Sequence, residues 1–165
     1  MPATTLEQLV SDASGLLDAL RQRHLKIATA ESCTGGLICA ILTEVAGSSD
    51  VVDRGFVTYS NEAKSDMLGV PQVLIEENGA VSEPVARAMV RGAIERSFSD
   101  IAVAVTGIAG PGGGTAEKPV GLVHIAAMRR GREGVHLQCE FGDAGRGEVR
   151  RLTVIEAFKL LHSLL

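Results

Sequence analysis

The feature that most constrains the fold is an uninterrupted run of apolar residues, "DIAVAVTG" at 100–107. A strand without polar alternation is typical of a sheet that is covered on both faces. Segments with an apolar period of about 3.6 residues lie near both ends of the chain and can supply helices for those faces. The sequence therefore predicts an α/β protein, a single-domain α/β/α sandwich over residues 1–165.

The order of the predicted elements indicates a mixed sheet. Strands that alternate with helices favour parallel pairing, whereas two strands joined by a short turn form an antiparallel hairpin. The hairpin is predicted from "VGLVHIAAM" and "GVHLQCEF", which are joined by only "RRGRE". The preceding strands are predicted at 25–30, 55–60 and 100–107. Helices are predicted at 6–24, 35–47, in "NEAKSDMLGV", in "PQVLIEENG", at 82–98 and at 146–165.

Charge and composition exclude several classes of function. The net charge of -4 and the absence of tryptophan argue against a nucleic-acid-binding protein. No apolar run approaches the roughly 20 residues of a membrane helix, and the N-terminus does not resemble a signal peptide. Cys33, Cys39 and Cys139 have no metal-binding spacing. We therefore expect a cytoplasmic protein without a metal, a membrane or a nucleic-acid partner.

Three loops rich in polar residues or glycine follow the three predicted strands. They are "TAESCTGG" (29–36), "TYSNEAK" (58–64) and "TGIAGPGGGT" (106–115). The carboxyl ends of parallel strands lie at one edge of a sheet, and open α/β sheets bind their ligands at that edge. The three loops are therefore predicted to line one cleft.

The first loop contains candidates for catalysis and for ligand binding. Ser32 or Thr34 can simply cap the following helix, whose free N–H groups also suit an anion. Gly35 and Gly36 disfavour a helix interior and let a ligand approach the backbone. Cys33 is either a small buried side chain or a thiolate activated by the helix N-terminus.

The second loop contains a candidate base. Lys64 on the first turns of a helix is ordinarily solvated, but a desolvated lysine can act as a neutral base for Ser32 across the cleft. Tyr59, the only tyrosine, is expected at the rim, and Asn61 is a candidate ligand-binding residue. The pattern therefore allows a Ser–Lys pair.

The third loop fits neither common nucleotide-binding motif. It lacks the spacing of a P-loop, and its glycines do not match the dinucleotide fingerprint. Its backbone N–H groups can still form an anion nest, although a flexible loop is the simpler alternative. The candidate anion-binding residues are Thr106, Gly107, Gly110, Gly112 and Lys118.

Five segments together resemble the C-terminal domain of the CinA (competence/damage-inducible) family, from about Leu25 to the end of the chain. The segments are "AESCTGG", "GFVTYSNEAK", "LGV", "GAVSEPVARAM" and "AVTGIAGPGGGTAEKPVGLVHIA". The resemblance implies a stand-alone (PncC-type) amidase that converts nicotinamide mononucleotide (NMN) to nicotinate mononucleotide and ammonia, in pyridine nucleotide salvage. It implies Ser32 as the nucleophile, Lys64 as its base and Tyr59 as an assistant, with no metal or other cofactor.

Two alternatives and one question stay open at this point. The nucleophile can be Cys33 instead of Ser32, or the protein can be a sensor that binds a nucleotide without turnover. The leucine-rich faces of the terminal helices leave room for a homo-oligomer, but they can equally be buried within one chain.

Overall fold

Five strands form one sheet in the computed structural model, which describes residues 2–165. The strand order is β2-β1-β3-β4-β5. The strands are β1 (Ile27–Glu31), β2 (Val52–Val57), β3 (Ile101–Gly107), β4 (Leu122–Arg129) and β5 (Val135–Glu140). The helices are α1 (Leu6–Gln22), α2 (Leu37–Glu44), α3 (Asn61–Leu68), α4 (Gln72–Asn78), α5 (Glu83–Glu95) and α6 (Arg146–His162), with a short 3-10 turn at Ser48–Asp50.

The sheet is mixed, as predicted. β1 pairs in parallel with β2 on one side and with β3 on the other, whereas β4 pairs antiparallel with both β3 and β5. The ends of β1, β2 and β3 therefore meet at one edge of the sheet. This arrangement brings the three loops singled out in the sequence to the same place.

Two predicted elements next to the converging loops have different boundaries in the structure. The strand predicted at 55–60 begins earlier, at Val52, because its pairing with β1 starts there, and residues 58–60 form the loop. The helix predicted at 35–47 begins at Leu37, because Gly35 and Gly36 adopt left-handed conformations with φ of 57° and 97°. Such angles are incompatible with a right-handed helix.

Both faces of the sheet are buried, which is what the apolar run at 100–107 predicted. One face, with Ile27, Ile101 and Val103, packs against α1, α2 and α6. The opposite face carries small side chains, and α5 packs on it with α3 and α4 alongside. The small side chains are Ala28, Ala30, Ala102, Ala104 and Ala126. Because alanine leaves little between helix and sheet, α5 lies close to the strands.

The packing of α3 on α5 decides where the candidate base points. A β-carbon at Gly92 of α5 would collide with the carbonyl of Leu68, so the two helices approach closely there. Leu68 is buried in this contact. Lys64 lies one turn earlier on the same face of α3, since residues four apart share a helix face. The lysine is therefore directed into the protein and not into solvent.

No helix within residues 2–165 is long and apolar enough to cross a membrane.

Candidate active site

Ser32 lies at the point where β1 ends and the chain turns towards α2. Its N–H donates to the carbonyl of Val105 at 3.0 Å, which continues the pairing of β1 with β3 by one residue. The turn then passes through Gly35 and Gly36, whose positive φ angles reverse the chain within a few residues. Ser32 is 8% exposed, so its hydroxyl faces a cavity instead of bulk solvent.

Lys64 reaches this hydroxyl from the first turns of α3. Ser60 caps α3 by accepting a hydrogen bond from the N–H of Ala63 at 3.0 Å. The Nζ atom of Lys64 lies 2.9 Å from Oγ of Ser32 and 3.0 Å from the carbonyl of Thr58. Longer contacts of 3.4 Å join it to the carbonyls of Tyr59 and Ser60.

Burial shifts the protonation equilibrium of Lys64 towards the neutral amine. The side chain is only 1% exposed, and this desolvation lowers its pKa from the ordinary 10.5 because water no longer stabilises the ammonium form. A neutral amine has two N–H donors, which the carbonyls around Nζ can accept, and a lone pair that can face Ser32. Nζ of Lys64 can therefore accept the proton of the Ser32 hydroxyl.

The three predicted loops do converge, and they line a cavity of about 220 Å³ around this pair. Seven of the residues singled out in the sequence line it: Ser32, Cys33, Tyr59, Asn61, Lys64, Thr106 and Gly107. The hydroxyl of Thr106 donates to the carbonyl of Ala80 at 2.9 Å and so holds the segment before α5 against the cavity. Larger cavities lie elsewhere on the surface, but the buried serine and lysine meet in this one.

The other singled-out residues do not line the cavity; they are Thr34, Gly35, Gly36, Gly110, Gly112 and Lys118. Nζ of Lys118, a predicted anion-binding group, donates to the carbonyl of Asn78 at 2.7 Å, at the end of α4. The glycine-rich loop reaches the cavity only through its first residues, Thr106, Gly107 and Ala109. Its later glycines, such as Gly112, are exposed.

Cys33 is buried in the wall of the cavity. It is 6% exposed, and desolvation raises the pKa of its thiol to about 12. The thiol is therefore protonated near neutral pH, and a thiol is a far weaker nucleophile than a thiolate. This environment argues against Cys33 as the attacking group.

Glu31 caps α2, a role for which the sequence offered Ser32 or Thr34. Its carboxylate accepts hydrogen bonds from the N–H groups of Ile38 at 2.7 Å and Cys39 at 3.0 Å. These are donors at the start of α2, so the expected anion site at this helix N-terminus is already occupied by a side chain. Glu31 lies in β1 and not at the N-cap position, which Gly36 occupies, so the local capping pattern did not identify it.

The N–H groups of the turn itself offer a different anion site. The N–H of Gly35 donates to the carbonyl of Ser32 at 3.0 Å and so is not free for a ligand. Within residues 2–165, the N–H groups of Cys33 and Thr34 donate to no backbone carbonyl. These two groups follow Ser32 directly and can donate hydrogen bonds to an oxygen that develops negative charge.

Arg146 was not identified from the sequence, although it lines the cavity. Its guanidinium donates to the hydroxyl of Tyr59 and to the carbonyl of Gly110, both at 2.9 Å. Tyr59 is 61% exposed, and its hydroxyl contacts Arg146, whereas only its carbonyl contacts Lys64. Arg146 and Tyr59 therefore form the rim, with a positive charge at the mouth of the cavity.

No group of three histidine, cysteine, aspartate or glutamate side chains in the part of the chain that the structure describes is placed to hold a metal ion.

Comparison with known proteins identifies relatives over nearly the whole chain. The family model for the CinA C-terminal domain matches residues 10–165. A CinA-like protein of Mycolicibacterium paratuberculosis is 49% identical over 96% of this chain and 38% of its own length. A putative competence-damage inducible protein of Symbiobacterium thermophilum is 57% identical over 78% of this chain and 30% of its own. The chain thus spans about a third of these curated relatives.

Two solved structures have the same fold at nearly the same length. The competence/damage inducible protein CihA of Agrobacterium tumefaciens is 50% identical, with a TM-score of 0.94 over 99% of this chain and 98% of that one. A CinA superfamily protein of Escherichia coli is 37% identical, with a TM-score of 0.89 over 98% of this chain and 91% of that one. Their names state no reaction.

Proposed function

The chain belongs to the CinA C-terminal domain family, and from this premise and the geometry of the site we propose that it hydrolyses the carboxamide of NMN. The products are nicotinate mononucleotide and ammonia. The observation that carries the proposal is the 2.9 Å contact between Oγ of Ser32 and Nζ of Lys64 in a buried cavity. The substrate itself comes from the resemblance described above.

The first step is attack by Ser32 on the carboxamide carbon. Lys64, whose pKa is lowered by burial, acts in its neutral form and takes the hydroxyl proton as the Oγ–carbon bond forms. The carbonyl π bond opens, and its electrons move to the oxygen. The N–H groups of Cys33 and Thr34, which donate to no backbone carbonyl within residues 2–165, are our candidates to stabilise this oxyanion. Such donors are each worth roughly 10²–10³ in rate.

The second step expels ammonia. Lys64 returns the proton to the departing nitrogen, the carbon–nitrogen bond breaks, and an ester joins the nicotinoyl group to Ser32. Water then attacks the ester, with Lys64 again accepting a proton and passing it to Oγ. One water is consumed and one ammonia is released, so the atoms balance and no oxidant or reductant is needed.

The volume of the cavity supports a binding mode in which only part of the substrate lies inside it. At about 220 Å³ it is smaller than typical ligand sites of roughly 300–1,000 Å³. We place the carboxamide-bearing ring inside it and the ribose phosphate at the mouth. There Arg146 supplies a positive charge, and its guanidinium geometry suits a phosphate. The neighbouring Thr106–Ala109 segment lines the approach.

The decisive experiment is ammonia release from NMN by purified wild type, Ser32→Ala and Lys64→Ala. We expect release by the wild type and a loss of at least about 10² in both variants. Lys159→Ala is the matched control, because that lysine is 67% exposed on α6. If the wild type releases no ammonia from NMN, the proposed amidase activity is overturned. A rise in melting temperature on adding NMN, without ammonia release, would indicate a nucleotide-binding module instead.

A further inference from the structure

The carboxylate of Glu31 is entirely buried although the proposed reaction does not use it. It accepts hydrogen bonds from the N–H groups of Ile38 and Cys39, and a third from the hydroxyl of Thr29 at 3.2 Å. Burying a charge is costly unless it is well paired, and here both carboxylate oxygens are paired with donors at the start of α2. We propose that Glu31 is a positioning residue for the Ser32 hydroxyl, a role that rests on the proposed function.

Glu31 holds both ends of the turn that carries Ser32. Its backbone belongs to the sheet, where it lies opposite Val57 and Val105, and its carbonyl accepts from the N–H of Thr58 at 2.8 Å. Its side chain holds the far end of the turn through the first residues of α2. Glu31 therefore closes the segment 32–36 into a loop, to which Arg150 adds one hydrogen bond, from its guanidinium to the carbonyl of Thr34 at 2.8 Å.

This closure matters because the turn has little rigidity of its own. Gly35 and Gly36 have no side chains and sample many backbone conformations. The proton transfer requires Oγ of Ser32 to stay 2.9 Å from Nζ of Lys64, and a displacement of about 1 Å can cost about 10²-fold in rate. A fixed start of α2 restricts the turn to the conformation that keeps this distance.

Both oxygens of the carboxylate are needed for this role. A glutamine at position 31 has nearly the same shape, but it offers one acceptor oxygen and one N–H₂ group. Since Ile38 and Cys39 both present donors, one of them would face another donor in a buried place. Glu31→Gln is therefore predicted to loosen the turn without altering any residue that lines the cavity.

The test measures the reactivity of Ser32 itself with a fluorophosphonate, which labels the serine by displacing fluoride. We expect the labelling rate constant of Glu31→Gln to fall at least about tenfold. The matched control is Glu44→Gln, the same substitution at an exposed position of α2, which should label within about twofold of the wild type. With NMN, kcat should fall by a factor similar to the labelling rate, while KM stays unchanged because the cavity lining is intact.

Several outcomes decide the matter. A labelling rate in Glu31→Gln equal to that of the wild type, or a rise in KM with kcat unchanged, would overturn the role. If Glu31→Gln does not fold, Glu31→Asp is tested instead, because it keeps the carboxylate on a shorter side chain. A wild-type labelling rate in Glu31→Asp would then overturn the positioning role of Glu31. Labelling of wild-type Ser32 without ammonia release would overturn the proposed function, while the comparison between variants would still test Glu31.

Discussion

The Nζ atom of Lys64 lies 2.9 Å from Oγ of Ser32, and both side chains are almost fully removed from solvent. A serine and a lysine placed in this way form a nucleophile and its base only if the lysine is neutral. The rate of the proposed reaction should therefore depend on pH through the titration of Lys64.

Activity should rise with pH along a limb that reports the titration of Lys64. Burial lowers its pKa below 10.5, so the neutral base becomes populated at a lower pH than for an exposed lysine. We expect kcat/KM for NMN, measured between about pH 5 and pH 10, to increase through a pKa below 10.5. Lys64→Arg, a permanent cation, should lose at least about 10²-fold. A flat profile would contradict Lys64 as the base.

Arg146 should contribute to binding through the phosphate of the substrate. Replacing it with methionine removes a charged hydrogen-bond donor, worth about 1.5–3 kcal/mol, so KM for NMN should rise roughly 10–100-fold. Nicotinamide riboside, which lacks the phosphate, is the control substrate and should show little change. Tyr59→Phe, which removes only the hydroxyl that contacts Arg146, should have a smaller effect. Equal losses with both substrates would remove Arg146 from phosphate binding.

Cys33→Ala should retain activity within about threefold. The thiol is protonated because burial raises its pKa to about 12, so nothing in the proposed reaction depends on the sulfur. The measurement is ammonia release by Cys33→Ala beside Ser32→Ala. An inactive Cys33→Ala that folds normally, together with an active Ser32→Ala, would identify the cysteine as the nucleophile.

Gly92→Ala should destabilise the protein, because the added carbon would collide with the Leu68 carbonyl where α3 packs on α5. Overpacking of this kind costs about 1–3 kcal/mol, and roughly 2–4 °C in melting temperature accompanies each kcal/mol. Gly15→Ala in α1 is the control, since nothing lies within 4 Å of its added carbon. It should be neutral or stabilising, as alanine is the better helix former. An unchanged melting temperature for Gly92→Ala would show that α3 can move aside.

Stability should decline in mild acid because of two adjacent histidines on β4 and β5. Nδ1 of His124 lies 2.9 Å from Nε2 of His136, and burial lowers the pKa of both rings below 6.5. The charge of Lys118 also lowers the pKa of His124, and that of Arg87 lowers the pKa of His136, whereas Glu83 raises both. Below pH 6.5 the unfolded chain therefore binds more protons than the folded one, so stability is lost as pH falls. His136→Gln should lose less melting temperature than the wild type between about pH 7 and pH 5. An equal fall in melting temperature for His136→Gln and the wild type would contradict a role of the two histidines in acid destabilisation.

Much of the fold follows from local patterns in the sequence. The apolar run at 100–107 requires cover on both faces of the sheet, and the hairpin after it requires an antiparallel pair, so the mixed α/β architecture could be predicted. The handedness of strand–helix–strand units then places the three loops at one edge. The strand predicted at 55–60 was misplaced because β-forming residues continue into a loop whose limits are set by pairing with β1.

The order of strands and polar loops along the chain was enough to predict that Ser32, Lys64 and Thr106 share one cavity. Their chemistry, in contrast, depends on tertiary packing. Lys64 loses its solvent because α3 packs closely on α5, and a sequence does not report desolvation. Arg146 meets Tyr59 across 87 residues of chain, a contact that no local spacing encodes. Charge states and distant contacts depend on burial and proximity, which exist only once the chain has folded.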